Sequence, residues 1–327
     1  MARKARHAAT GGAADPGASR AGGPGGGAAA LSDAKAGKPP LTPRKRSGRW
    51  KKWLFGLALA ALLLTLGYRE YLRLTDMSYF VDTFYEVEDD KLQFPMRIVV
   101  LADLHLQEFG EDNADLVLEI DRLKPDMIAM AGDMMNEDDP DTSVVVTLCR
   151  QLVDVAPVYF CYGNHEKQAI RVDQTSTLNK DLEALGVHVL HNRYETVNVN
   201  GNTIDIGGLS ANPGTMDAEY TQKFWQSYLQ SPNYRLLLVH YPNFFFSGGE
   251  LRGVPVDMAL CGHLHGGQVV VPYIGGLYHP IEGFFPEMTD GCHRVEDTWV
   301  IISRGLGNHN KVPRVNNPPE LVVVDIY

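Results

Sequence analysis

The sequence predicts an α/β body of two sheets packed face to face, each covered on its outer side by helices, behind one N-terminal membrane-spanning helix. Three observations carry this. Short apolar runs alternate with amphipathic stretches between residues 97 and 162, which is a repeated β-α-β pattern. Beyond residue 185 the texture changes to closely spaced short strands before the alternation returns. Ahead of all this lies a 16-residue stretch, Trp53 to Tyr68, with no charged side chain.

Taken in order, residues 1–49 form a basic tail rich in Ala, Gly and Pro. A segment such as Gly22-Gly23-Pro24-Gly25-Gly26-Gly27 cannot bury a core and is expected to be disordered. The apolar run would span about 24 Å as a helix, short of the roughly 30 Å hydrocarbon core. Trp50, Trp53, Tyr68 and Tyr71 extend it as interface anchors, with Lys51, Lys52 and Arg69 reaching to the headgroups, which gives a span over 50–72. The alternatives are a cleaved signal peptide and a buried helix. The small-x-small triplet Ala58-Leu59-Ala60 sits mid-run, with too little apolar sequence before it for a cleavage site. A core helix rarely lacks charge for four turns. Residues 73–94 are expected to link the anchor to a catalytic domain over 95–327.

Charge divides along the same line. Residues 1–52 hold 12 Lys/Arg against 2 Asp/Glu, and residues 53–327 hold 18 against 38. An acidic body argues against a nucleic-acid partner. The basic cluster Arg44, Lys45, Arg46, Arg49, Lys51 and Lys52 predicts a cytoplasmic N-terminus, a single pass through the cell membrane and an extracytoplasmic body.

Within the body, strands are expected at 97–102, 126–131 and 158–162, with helices over 113–124 and 143–155 between them and another near 175–185. Short strands follow at 187–190, 196–199 and 203–209, the last two joined by an Asn200-Gly201 turn. A helix near 220–230 leads to strand 235–239, and strands 257–261, 268–271, 298–303 and 321–326 complete the set. Cys149, Cys161, Cys261 and Cys292 show no C-x-x-C spacing, so core packing is their default reading and no disulfide follows from the sequence.

Five polar motifs fall mostly at the ends of these strands: Asp103-Leu104-His105, Gly132-Asp133-Met134-Met135-Asn136, Gly163-Asn164-His165-Glu166, Val239-His240 and Gly262-His263-Leu264-His265. In an open α/β sheet, ligands bind beyond the carboxyl ends of the strands, so these side chains can converge. Two metal ions need one bridging carboxylate and about three further protein ligands each. One economical assignment bridges the ions with Asp133, places Asp103, His105 and His265 on one, and places Asn164, His240 and His263 on the other. His165 is then free for acid–base work. Mixed N/O ligation suits Mn, Fe or Zn rather than Ca. Each motif alone is weak: a lone D-x-H or H-x-H is more often a surface or hydrogen-bonding element, and Asn164 could cap a helix. Their order and their strand-end placement are jointly specific.

The set D-x-H, G-D-x-x-N, G-N-H-E, a lone His and G-H-x-H resembles the calcineurin-like metallophosphoesterase superfamily over about residues 96–327. Gly262–Gln268 (G-H-x-H-G-G-Q), Ser303–Gly307 and Asn317–Leu321 resemble its bacterial YaeI/YkuE-like phosphodiesterase branch more closely. The resemblance implies a four-layer α-β-β-α sandwich, the ligand assignment above, and a His165 that protonates the leaving group or steadies the transition state. A hydroxide held between two divalent metal ions would attack a phosphodiester or phosphomonoester in line. Asp103 or Glu166 is expected to orient His165, and Arg304 to hold a phosphate oxygen, unless Arg304 merely pairs with an acidic neighbour. Expected substrates are small-molecule or lipid-linked phosphoesters. One alternative is a pyrophosphatase on a UDP-linked acylated glucosamine, with Phe244-Phe245-Phe246 and Gly283-Phe284-Phe285 lining an acyl groove. A catalytically silent metal-binding scaffold is another, and it would lack at least one ligand. The acidic Glu137-Asp138-Asp139 loop has no role in this scheme, and the oligomeric state is not legible.

Overall fold

A computed structural model describes residues 48–139, 141–172, 177–210, 219–309 and 311–327. Most of the expected disordered tail therefore lies outside the described residues. The chain divides into two units, Met1–Phe55 and Gly56–Tyr327. Helix α1, Arg49–Leu74, buries none of its residues and is long and apolar enough to cross a membrane. Its 26 residues extend about 39 Å.

The body begins with β1 (Val81–Val87) and β2 (Met96–Leu101), followed by α2 (Ala114–Leu123), β3 (Met127–Met130), α3 (Ser143–Leu152), β4 (Val158–Phe160), α4 (Asn164–Val172), α5 (Leu178–Leu185) and β5 (His188–Val189). The second half holds β6 (Arg193–Val199), β7 (Asn202–Leu209), α6 (Glu219–Tyr228), β8 (Tyr234–Val239) and β9 (Met258–Cys261). Four two-residue strands come next: β10 (Val270–Val271), β11 (Gly275–Gly276), β12 (Tyr278–His279) and β13 (Gly283–Phe284). The chain closes with β14 (Gly291–Val295), β15 (Thr298–Ile302) and β16 (Glu320–Ile326).

These strands form two six-stranded sheets, ordered β1-β16-β2-β3-β4-β5 and β14-β15-β9-β8-β7-β6. Strands β2 to β5 are parallel neighbours, as are β7, β8, β9 and β15. Strand parity builds the layers. Ile98, Val100, Met127 and Ala129 of the first sheet meet Ile204, Ile206, Leu236, Leu238 and Leu260 of the second in a central core. The intervening residues Val99, Leu101, Ile128 and Met130 face outward onto Leu116 and Ile120 of α2 and Val145 and Leu148 of α3. Leu237, Val239, Ala259 and Val300 do the same against Phe224, Trp225 and Tyr228 of α6. The result is the expected α-β-β-α sandwich.

Two departures follow from exposure. Strand β1 lies within the expected linker 73–94, and it pairs in parallel with β16 at a sheet edge. Its sequence, VDTFYEV, is half exposed and shows no apolar run. Phe244, Phe245 and Phe246, expected to line an acyl groove, are buried in the outer core beside α6. Cys149, Cys161 and Cys261 are buried, and all four cysteines are free thiols.

Candidate metal centre

Five strands of like direction deliver the polar motifs to one place. Asp103 and His105 follow β2, Asp133 follows β3, and Asn164 and His165 follow β4. His240 follows β8 of the opposite sheet, and His263 and His265 follow β9. Backbone bonds lock the strand ends together: Asp103 N–H donates to Gly132 O at 3.0 Å, His105 N–H to Asp133 O at 3.1 Å, and Gly262 N–H to His240 O at 3.1 Å. Asp103, His105, Asp133, His263 and His265 all adopt left-handed φ, between 47° and 77°. Such backbone is costly for a residue with a Cβ and collects at functional sites.

The motif glycines let these turns touch. A Cβ on Gly163 would stand 2.1 Å from Asp133 Oδ1, and one on Gly262 would stand 2.5 Å from Asp103 Oδ2. Glu166, fully buried, accepts backbone N–H bonds from Asp133 (2.9 Å), Met134 (2.6 Å), Met135 (3.3 Å) and Gly163 (2.8 Å). It therefore splices the second and third motifs and does not orient His165. Neighbours on a helix diverge, so Glu166 has no line to the His165 ring.

The side chains assemble into two sets. Asp103, His105 and His265 bring ligand atoms within 4.8 Å of one another, as do Asp133, His240 and His263. His240 joins the sheets: its Nδ1–H donates to Ala131 O at 2.9 Å, which leaves Nε2 bare, 2.9 Å from Asp133 Oδ2 and 3.9 Å from Asp103 Oδ1. A lone pair facing two carboxylates calls for a cation between them. Without an ion, burial would lower the His240 pKa, yet Asp133 outweighs it and pushes it up to about 9, so that a proton then takes the Nε2 position a cation would occupy. Asn136 Oδ1 accepts from His105 Nδ1 at 2.9 Å and so turns His105 Nε2 inward. His105 Nε2, His265 Nδ1 and Asn164 Oδ1 are buried without a hydrogen-bond partner. Burial holds His105 down at about 3 and His263 and His265 well below the ordinary imidazole range, so these rings present neutral lone pairs. Burial, ahead of repulsion from Asp133, pushes the Asp103 carboxyl up to about 7. Inward-facing bare nitrogens beside strained carboxylates are the donor set that borderline divalent cations take.

Residues 96–267 match the calcineurin-like phosphoesterase family. The chain belongs to that family. It is 29% identical over 283 residues to the uncharacterized metallophosphoesterase YkuE of Bacillus subtilis, spanning 83% of this chain and 94% of the relative. It is 26% identical over 242 residues to the phosphodiesterase YaeI of Escherichia coli, covering 71% and 82% of the two chains. A transmembrane protein with a metallophosphoesterase domain from Bos taurus is 25% identical over 218 residues, 60% of this chain and 48% of that one. The chain is thus a metallophosphoesterase of the YaeI/YkuE-like branch, a hydrolase of phosphoester bonds.

The remaining residues of this phosphoesterase site divide unevenly. His165 Nδ1 lies 2.5 Å from Glu137 Oε2, and its Nε2 lies 3.9 Å from Asp133 Oδ2. Glu137 therefore stands against the His165 ring where Asp103 or Glu166 was expected. Asp103 instead accepts the His263 backbone N–H at 3.0 and 3.1 Å. The acidic loop acquires a use, since Asp138 also lies 3.7 Å from His309. His309, which no motif flagged, stacks on the His105 ring at 5.7 Å and meets the His165 ring edge-on at 4.9 Å. Arg304 is engaged elsewhere, with Nη2 2.9 Å from Glu320 Oε1. Arg314, likewise invisible to motif reading, is buried and donates to the carbonyls of Gly305 (3.0 Å), Gly307 (2.8 Å) and Asn317 (3.0 Å). That loop braces Asp103: the Gly307 N–H donates to Asp103 O at 2.7 Å.

Proposed function

We propose that the chain is a membrane-anchored dinuclear phosphodiesterase. Asp133 would bridge two divalent cations of the Mn, Fe or Zn type, with Asp103, His105 and His265 on one and Asn164, His240 and His263 on the other. The observation that carries this reading is the grouping of buried Asp103, His105 and His265, and of Asp133, His240 and His263, with ligand atoms within 4.8 Å of one another and bare buried nitrogens on His105 and His265. A catalytically silent scaffold would lack a ligand, and every ligand position is filled. When bound, two such cations supply Lewis-acid charge and an activated water. His165, poised by Glu137, gives its proton to the leaving oxygen. Arg304 would hold a phosphoryl oxygen only by loosening its pair with Glu320.

Helix α1 and the basic residues before it support an anchor with a cytoplasmic N-terminus and an extracytoplasmic domain. The reading as a pyrophosphatase on an acylated nucleotide sugar loses the support of Phe244–Phe246, which are core. The test is turnover by the full chain in detergent micelles, loaded with Mn, on p-nitrophenyl mono- and diesters and a nucleotide pyrophosphate. The diester is expected to react fastest, and Asp133→Asn to cost about a hundredfold or more. Wild-type turnover in Asp133→Asn would remove the bridge, and a faster monoester would remove the diester preference.

A further inference from the structure

Beyond α1, six large apolar side chains among the described residues are more than 60% exposed, and five of them lie between residues 273 and 285: Tyr273, Ile274, Ile281, Phe284 and Phe285. Scattered exposed apolar residues are ordinary, but such a concentration in 13 residues marks an interaction surface. The five sit on a meander of the four short strands. Val270–Val271 pairs antiparallel with Gly275–Gly276, and Tyr278–His279 with Gly283–Phe284. The meander is held by its base: Val270 N–H donates to Val315 O at 3.0 Å and Leu277 N–H to Val269 O at 2.8 Å. The exposed side chains belong to a built structure.

We propose that this meander lies in the headgroup region of the lipid bilayer and presses the metal centre against the membrane surface. This rests on reading α1 as a membrane anchor. Asn316 specifies the occupant. Its backbone N–H donates to Leu74 O, at the end of α1, at 2.8 Å. Its side-chain Nδ2 donates to Val270 O, at the start of the meander, at 3.2 Å. The helix end and the apolar turns therefore share one residue, and the point where α1 leaves the membrane is the point from which the meander departs. Tyr, Phe and Ile on short turns are the side chains that settle at a membrane–water interface. The third strand of the meander reaches the chemistry: His279 Nε2–H donates to the backbone carbonyl of His263 at 3.1 Å. Held this way, the site meets phosphoesters carried on lipid headgroups.

The experiment uses the full chain in phosphatidylcholine–phosphatidylglycerol nanodiscs. Single nitroxide labels are placed by Leu62→Cys, Leu118→Cys, Ile274→Cys or Ile281→Cys in a Cys292→Ser background, because the other cysteines are buried. Leu62 reports the anchor, and Leu118, 69% exposed on α2, is the aqueous control. Labels at 274 and 281 are expected to shift with 62 toward oxygen accessibility and away from an aqueous nickel chelate, while 118 shows the reverse. Labels at 274 and 281 that match 118 while 62 sits in lipid would overturn the proposal alone. Exclusion of both reagents at 274 and 281 would overturn it in favour of a protein partner or a second copy. A water-exposed label at 62 would remove the anchor reading and this inference with it.

Discussion

Gly163→Ala isolates the close approach on which the site is built. The backbone of Gly163 is outside the left-handed region, so an Ala there meets no torsional penalty. In open surroundings such a change stabilises a protein by about 0.4–1 kcal/mol, because the unfolded chain loses freedom. Here the new Cβ would stand 2.1 Å from Asp133 Oδ1, 2.7 Å from its Cγ and 2.6 Å from its backbone nitrogen. Real Cβ atoms essentially never come within 3.0 Å, so Asp133 must retreat by about 0.9 Å. It cannot swing freely, since Oδ1 accepts the His165 N–H at 2.8 Å and its own amide is held by Glu166. Overpacking of this kind costs about 1–3 kcal/mol, which exceeds the entropic gain. A displacement near 1 Å in catalytic geometry costs on the order of a hundredfold in rate. The expected outcome is a net loss of about 1–2 kcal/mol in urea unfolding and a fall of about a hundredfold in kcat/KM on a p-nitrophenyl diester. A variant that gains stability and turns over within about threefold of wild type would show that Asp133 and Gly163 are not in obligatory contact, and the reasoning would fail.

Three further outcomes test other parts of the site. Burial lowers the His165 pKa while Asp133 and Glu137 pull it back up; a His165 acting as acid works below its pKa and loses activity as pH rises through it. Glu137→Gln removes one of the raising charges, so the alkaline limb of the kcat profile should move to lower pH, and an unmoved limb would take the positioning role from Glu137. Asn136→Ala frees His105 Nδ1 and is expected to weaken Mn binding by about 10–100-fold in chelator competition; unchanged affinity would deny Asn136 that role. Arg314→Met strands the carbonyls of Gly305, Gly307 and Asn317 and is expected to cost about 3–5 kcal/mol in urea unfolding, whereas a loss under about 1 kcal/mol would mean that water replaces the guanidinium.

The layers and the convergence of polar side chains were legible because strands buried on both faces write themselves as unbroken apolar runs, and five of those runs lead within two residues to Asp, Asn or His. Met96–Leu101 and Tyr234–Val239 fall within a residue of their expected bounds at the site end or beginning. Exposed edges carry no such signal, which is why β1 passed as linker and β14, Gly291–Val295, went unread. Long-range partners were hidden for a different reason. Glu137 reaches His165 across 28 positions, and Arg304 finds Glu320 across 16, through loop paths that no periodicity encodes. Glu166 was hidden because no helix was expected over Asn164–Val172, and it is that helical backbone which turns Glu166 away from the His165 ring.

Each proposed cation would draw on both sheets, Asp103 and His105 with His265 on one side, Asp133 and Asn164 with His240 and His263 on the other. Such ions would act as rivets across the seam between the two halves, beside polar links such as His240 to the Ala131 carbonyl and Asp103 to the His263 amide. Their loss would loosen the seam from its polar end, so the melting temperature of the sandwich should climb with free metal concentration rather than stay fixed. An enzyme fastened in this manner loses shape and chemistry together when its environment runs short of metal.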